Sequence, residues 1–305
     1  MHALTDILVV LGDDPDEAGY VLDKTATLAR GSGARVHVVR VVYEGIADLS
    51  ASAIDAAADL KSFILESEES VTEDMVEGVR QDLPGLETAT LWNPRAWEGV
   101  LHAAAQTGAG LIIKGASRHP RLGEIVRTPD DWNLLRSSEV PVMLVKPQAW
   151  LGEREVVCAL DPFDDAHDDL NLALLRAGDA LCRVLQGSLH LVAAYPLFER
   201  WAGELGGLRD YDALKRDVEQ EIRDRIVALA DQAGVSYERL YADEGRPEHV
   251  IAALAEDLGA ELVVVGTHAR QGLKGLVLGN TSERLVHHLT TDVVTVHAPP
   301  RDAGR

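Results

Sequence analysis

The strongest constraint on this chain is an internal repeat of about 150 residues. Short apolar runs return in the same order in each half, and each run has the length of a buried strand. Residues 111–115 (LIIKG) return as residues 262–266 (LVVVG), and residues 141–145 (PVMLV) return as residues 292–296 (DVVTV). A repeating unit of this size is a whole domain, since solenoid repeats are several times shorter.

The two halves meet in a short segment that has the composition of a linker. It is KPQAWLGE, at residues 146–153, and it contains Pro147 and Gly152. Proline and glycine are typical of connections between compact units. The sequence therefore predicts two domains, residues 1–149 and residues 150–305.

The apolar runs alternate with helix-like segments in both halves. The pattern predicts helices at residues 18–29, 168–185 and 211–233, a helix that ends at a C-cap glycine, Gly108, and a short strand at residues 237–241. The apolar runs are continuous and do not alternate with polar residues, which indicates parallel strands covered on both faces. We therefore predict an α/β protein of two tandem doubly wound, Rossmann-like domains, each with a mainly parallel five-stranded sheet. Ligands of such sheets bind beyond the carboxyl ends of the strands, which in the second half are marked by Asp161 and Gly266.

The charge of the chain excludes some partners. Its 305 residues carry a formal net charge of -21, from 29 Lys+Arg against 50 Asp+Glu. Such a surface repels phosphate backbones, so we expect no direct nucleic-acid binding. The N-terminus lacks the pattern of a signal peptide and no apolar run has the length of a membrane span. The expectation is a cytoplasmic protein without a membrane partner.

A glycine-containing loop is the main candidate site. Residues 263–282 (VVVGTHARQGLKGLVLGNTS) have the pattern of a strand, a loop and a helix start. This arrangement gathers backbone N–H groups at the positive end of a helix dipole, which suits a phosphate. The loop matches neither GxxxxGK[ST] nor GxGxxG. The other interpretation is a tight crossover without a ligand, in which glycines serve only the backbone conformation.

Two stretches carry a resemblance to a known family. They are residues 128–136 (TPDDWNLLR) and residues 278–283 (LGNTSE). Together with the repeat, they resemble the universal stress protein family, especially its tandem E-type members, over nearly the whole chain. The resemblance implies an adenine nucleotide alpha hydrolase-like fold and a stress-response protein without established catalysis. It also implies that the halves pack as an internal pseudo-dimer, with a homodimer and unidentified protein partners as further expectations.

The resemblance also implies a nucleotide site in the second half. In nucleotide-binding members of the family, an Asp at the end of the first strand contacts adenine and ribose, and Asp161 stands at that position. The family's G-x2-G-x9-G-(S/T) loop is matched with two departures, since Ala269 replaces a glycine and Asn280 replaces Ser or Thr. The implied ligand is ATP or ADP with Mg in this domain alone; the alternative is an empty crossover. The candidate binding residues are Asp161, Gly266, Ala269, Gly279, Asn280 and Ser282.

The first half departs further from the family pattern. Gly12 stands where the Asp is expected, and Pro129 removes an N–H donor at a phosphate-facing position. We therefore predict that the first half does not bind ATP in the manner of the family. Lys114 interrupts a strand that should be buried, so we expect an acidic neighbour. Two interpretations stay open for it: a lysine that reaches solvent from the strand end, or a ligand or anion site formed with Arg118 and His119.

No catalytic motif or metal-ligand cluster stands out in the sequence. We therefore predict no catalytic residue and no metal site. The first hypothesis is a non-enzymatic binding or regulatory module in stress resistance. The alternatives are an ATP-dependent switch or weak ATPase in the second half, and a carrier of a small apolar ligand in the first half.

Overall fold

A computed structural model describes residues 4–45, 54–83, 85–116, 129–195, 211–267 and 280–298. The chain divides into two compact units, with the division between Ala149 and Trp150. Among the described residues, no helix has the length and hydropathy that a membrane span requires.

The first half is a parallel sheet of five strands covered by four helices. The strands lie in the order β3-β2-β1-β4-β5, and each neighbouring pair is parallel. Helix α1 contacts α2, and α3 contacts α4, so helices cover both faces. The elements are β1 (Asp6–Val10), α1 (Pro15–Ser32), β2 (Arg35–Val42), α2 (Ile54–Glu77), β3 (Glu87–Trp92), α3 (Ala96–Thr107), β4 (Leu111–Gly115), α4 (Pro129–Ser137) and β5 (Val142–Val145).

The second half repeats this architecture, which confirms the predicted fold class. Its strands lie in the order β10-β9-β6-β7-β8, again with parallel neighbours. Helix α5 contacts α6, and α7 contacts α8. The elements are β6 (Glu155–Ala159), α5 (Asp168–Leu185), β7 (Ser188–Tyr195), α6 (Tyr211–Ala233), β8 (Arg239–Glu244), α7 (Pro247–Asp257), β9 (Leu262–Thr267), α8 (Asn280–His288) and β10 (Asp292–His297).

The same polar contact closes the amino-terminal edge of both sheets. His37 Nε2 lies 3.0 Å from Asp6 Oδ1, and His190 Nε2 lies 2.6 Å from Glu155 Oε2. Arg35 adds a 2.8 Å ion pair to Asp6. Burial opposes ionisation of Asp6, but hydrogen bonds from His37 and Arg35 hold the pKa of this carboxyl group below its ordinary value. These contacts join the first two strands of each half.

The linker segment that contains Trp150 and Gly152 is hydrogen-bonded to the second half. Trp150 Nε1 donates to Asp292 Oδ2 at 2.8 Å, and Gly152 N donates to Glu261 Oε1 at 2.6 Å. Both acceptor residues are buried. Because a buried carboxylate needs such donors, these contacts stabilise the start of the second unit.

Strand β8 differs from the sequence-based expectation. The apolar pattern predicted a strand at residues 237–241, but the strand runs from Arg239 to Glu244. It stays paired with β7 up to the partners Tyr195 and Glu244. The prediction was wrong at this end because hydropathy does not detect polar residues that pair at the edge of a sheet.

Gly187, between α5 and β7, packs against the backbone of Arg154 just before β6, and a substitution tests this close approach. A Cβ at this position would overlap the carbonyl oxygen of Arg154, to which Ser188 N donates at 3.1 Å. We expect Gly187→Ala to lower the free energy of unfolding by about 1–3 kcal/mol, because the backbone must move. Gly19→Ala is the matched control: nothing lies within 4 Å of that Cβ, and alanine stabilises a helix interior by about 0.5–1 kcal/mol. Equal urea midpoints for the two variants would contradict this packing.

His297, at the end of β10, predicts a pH dependence. Burial lowers the pKa of its side chain to about 4, whereas an unfolded chain has a histidine pKa of about 6.5. As the pH falls below about 6.5, the unfolded state therefore gains a proton that the folded state does not bind. This lowers the free energy of unfolding by about 1.4 kcal/mol per pH unit until about pH 4. Urea unfolding at about pH 7 and at about pH 5 measures how much the free energy of unfolding falls between the two pH values. This fall should be smaller in His297→Gln than in the parent protein, and an equal fall in both would disprove the role of His297.

Candidate functional site

A buried amide fixes the position of Asp161. This residue lies just beyond β6, at the carboxyl-terminal edge of the second sheet. The fully buried side chain of Asn171, on α5, accepts from Asp161 N at 3.0 Å and donates to Asp161 O at 2.8 Å. The backbone is therefore held on both sides, while the Asp161 side chain remains 53% exposed. A fixed and accessible carboxylate is a hydrogen-bond acceptor for a ligand.

His167 contacts this carboxylate. Its Nδ1 lies 3.0 Å from Asp161 Oδ2, and its side chain is largely buried. A ligand that uses Asp161 must either share the carboxylate with His167 or replace this contact. Neither His167 nor Asn171 was predicted from the sequence to belong to the site. The available signal for Asn171 was an amide among the apolar positions of an amphipathic helix, where a buried polar group needs a partner.

The acidic run beside His167 stabilises the turn between β6 and α5. Asp164 accepts from Ala166 N at 2.8 Å and thereby caps a short 3-10 turn. Arg225, on α6, lies 2.5 Å from Asp165 Oδ1 and 3.1 Å from Asp168 Oδ1. Among the described residues there is no group of three or more His, Cys, Asp or Glu side chains that could hold a metal ion. The carboxylates of Asp164, Asp165 and Asp168 are instead engaged by partners within the fold.

Gly266 and Ser282 lie at the same edge as Asp161, because β9 is the parallel neighbour of β6. A Cβ on Gly266 would lie 2.7 Å from Leu170 Cδ2, so this glycine allows α5 to approach the strand. Ser282 Oγ donates to Gly266 O at 2.6 Å and joins the first turn of α8 to the end of β9. Since the Ser282 hydroxyl proton is used there, this side chain anchors the helix start.

Of the other predicted binding residues, the structure describes only the backbone of Asn280. Asn280 is the first residue of α8, so its backbone N–H is among the helix donors without an intrahelical acceptor. Ala269, Gly279, Arg118 and His119 lie outside the described residues. Their roles in binding stay predictions.

A carboxylate occupies the corresponding edge of the first half. The Glu17 side chain, on α1, lies so close to Gly115 that a Cβ there would overlap it. A Cβ on Gly12 would lie 3.4 Å from Glu17 Oε1. In the second half, Gly266 instead faces the apolar Leu170. The negative charge of Glu17 would repel a phosphate at this edge.

Lys114 has the acidic neighbour that its sequence position predicted. Its Nζ lies 2.6 Å from Asp131 Oδ1, and the Asp131 side chain is 0% exposed. Asp131 belongs to the first turn of α4 and to the TPDDWNLLR string. The sequence analysis did not connect these two residues. An anion at Lys114 would compete with this buried carboxylate.

Lys114→Met tests this ion pair. The variant leaves Asp131 buried without its cationic partner, so we expect a loss of about 2–4 kcal/mol in the free energy of unfolding. The double variant Lys114→Met/Asp131→Asn removes the buried charge and should recover more than half of the loss in urea unfolding. If the single variant is as stable as the parent, the pair has no such role.

Comparisons with known proteins identify the family. The profile of the Universal stress protein family matches residues 4–146 and 154–297. Universal stress protein E of Escherichia coli K12 is 33% identical over 215 residues, which are 69% of this chain and 68% of that protein. The Universal stress protein E homolog of Haemophilus influenzae is 26% identical over 315 residues, covering 97% of this chain and 98% of the homolog.

A solved structure supports the same assignment. A protein of unknown function from Pseudomonas aeruginosa PAO1 superposes with a TM-score of 0.71 and 25% sequence identity, covering 97% of this chain and 93% of that chain. The match extends over both halves. The two family matches, the similarity to Universal stress protein E and the repeated sheet agree. The chain therefore belongs to the universal stress protein family, as a tandem member similar to Universal stress protein E.

Proposed function

We propose that this protein is a binding module of the stress response that takes one Mg-bound adenine nucleotide in its second half and does not use it in catalysis. Membership of the universal stress protein family supports the stress-related role. The observation that carries the nucleotide proposal is the exposed carboxylate of Asp161, fixed by Asn171 beside the end of β9. Cytoplasmic location and the pairing of the halves as a pseudo-dimer stay predictions.

Asp161 has the chemistry to recognise the nucleoside. A carboxylate accepts hydrogen bonds, and the amino group of adenine and the ribose hydroxyls are donors. Because Asn171 holds the Asp161 backbone and His167 contacts its carboxylate, this group loses less freedom when it binds than a free side chain would. The contact with His167 orients the same group from one side. These features favour a ligand with hydrogen-bond donors at this position.

The start of α8 has the chemistry to receive the phosphates. Its first backbone N–H groups lack intrahelical acceptors, and the helix dipole adds positive potential there. Ser282 fixes this helix start to Gly266. The net charge of -21 opposes a bare polyphosphate, so the ligand should enter with Mg bound to its phosphates.

Calorimetric titration of the full chain with Mg-ATP tests the proposal. We expect micromolar binding with one site per chain. Asp161→Asn should weaken binding at least about tenfold, because a hydrogen bond to a charged group contributes about 1.5–3 kcal/mol. Gly279→Val should abolish binding through the added side chain in the loop. Asp231→Asn, an exposed position on α6, is the control for a change of charge alone.

The possible outcomes separate the hypotheses. No binding heat with a folded protein would reject the nucleotide proposal. Two sites per chain would contradict the prediction that the first half does not bind ATP. Phosphate release that disappears in Gly279→Val would favour the weak ATPase instead.

A further inference from the structure

Helix α2 of the first half exposes an apolar stripe, formed by Leu60, Phe63 and Val71. Their side chains are 36%, 69% and 38% exposed, and the helical period places them on one side. The opposite side carries Thr72 and Val76, which are fully buried. A single exposed apolar residue is ordinary, but three on one side of one helix, with only serines between Phe63 and Val71 on that side, indicate an interaction surface.

The equivalent helix of the second half lacks this stripe. Among the described residues of α6, Val227 is the one large apolar side chain that is strongly exposed, at 39%. The charges differ as well: α2 contains eight acidic residues and one basic residue, whereas α6 contains six acidic and four basic residues. The stripe is therefore a property of the first half and is not required by the repeated fold.

The stripe is bordered by carboxylates that are not used within the chain. Among the described residues, no ion pair or hydrogen bond engages the side chains of this acidic rim, which consists of Asp59, Glu66 and Asp74. Other acids of the same helix are engaged, since Glu68 pairs with Arg40 at 2.8 Å and Glu73 contacts Arg80. The rim thus presents uncompensated negative charge next to an apolar surface.

Contacts on the inner side hold α2 in this orientation. Arg40, on β2, is almost completely buried where it meets Glu68. Lys61 Nζ lies 5.2 Å from the centroid of the Trp92 ring, at the end of β3. These contacts, together with the buried Thr72 and Val76, use the inner side of the helix and leave the stripe facing outwards.

We propose that the stripe and the acidic rim bind a basic amphipathic helix of a partner protein. Apolar side chains of such a helix would cover Phe63 and its neighbours, while its Lys and Arg side chains would pair with the rim. A second copy of this chain would bring two acidic rims together, and an anionic membrane would be repelled by the same charges. This surface shares no residue with the nucleotide site.

Fluorescence anisotropy with a synthetic probe tests the proposal. The probe is a fluorescein-labelled amphipathic peptide of leucine and lysine, added to the full chain, and the control peptide has serine at the leucine positions. We expect the probe to bind and the control peptide to bind at least about tenfold more weakly. Phe63→Asp and Phe63→Ser should each weaken probe binding about tenfold or more, since an exposed aromatic anchor is lost. Val227→Asp, with a comparable exposure on α6, should leave binding unchanged.

A charge variant tests the rim. Asp59→Asn/Glu66→Gln/Asp74→Asn should weaken binding of the probe at low salt and reduce the dependence of its affinity on salt. Equal effects of Phe63→Asp and Val227→Asp would overturn the proposal, as would a salt dependence that the charge variant leaves unchanged. A chain dimer that Phe63→Asp dissociates would show that a second copy covers the stripe. Binding to phosphatidylserine vesicles that Phe63→Asp abolishes would assign the stripe to a membrane instead.

Discussion

The amide of Asn171 determines where the chain leaves the first strand of the second half. Strand β6 lies between β9 and β7 in its sheet, so the backbone that follows β6 lies among these strands and helix α5. An unpaired peptide group would be costly at this point. Asn171 satisfies both the N–H and the C=O of Asp161, and the turn that follows can therefore present the side chain outwards.

The two halves build different carboxyl-terminal edges on the same scaffold. Their amino-terminal edges are closed alike, by His37 with Asp6 and by His190 with Glu155. Their carboxyl-terminal edges differ in charge, since Glu17 lies over Gly115 where Leu170 lies over Gly266. The strands below these edges pair in the same order in both halves. A repeat can therefore keep its fold while the chemistry of its edges diverges.

The elements could be predicted from the sequence where hydrophobic periodicity controls them. Helices α5 and α6 have the predicted bounds, and Gly108 ends α3 with the left-handed conformation that a C-cap glycine adopts. Helix α1 begins at Pro15, earlier than the predicted Ala18, because Asp14 caps it and proline is favourable in its first turn.

The candidate site could be predicted only in part. The position of Asp161 followed from the end of a strand, and the acidic neighbour of Lys114 followed from the cost of a buried charge. The partners themselves, Asn171 and Asp131, could not be predicted because each lies on a helix whose side chains meet the strand only after packing. Pair contacts of this kind depend on the relative placement of elements, which periodicity does not specify.

Hydrogen–deuterium exchange of the full chain, with and without Mg-ATP, tests whether the carboxyl-terminal edges of the two halves differ in their chemistry. We expect the nucleotide to slow exchange in peptides covering residues 156–171 and 262–288, and to leave exchange in peptides covering residues 7–20 and 111–137 unchanged. Slower exchange in the first-half peptides, or in both halves equally, would contradict this difference.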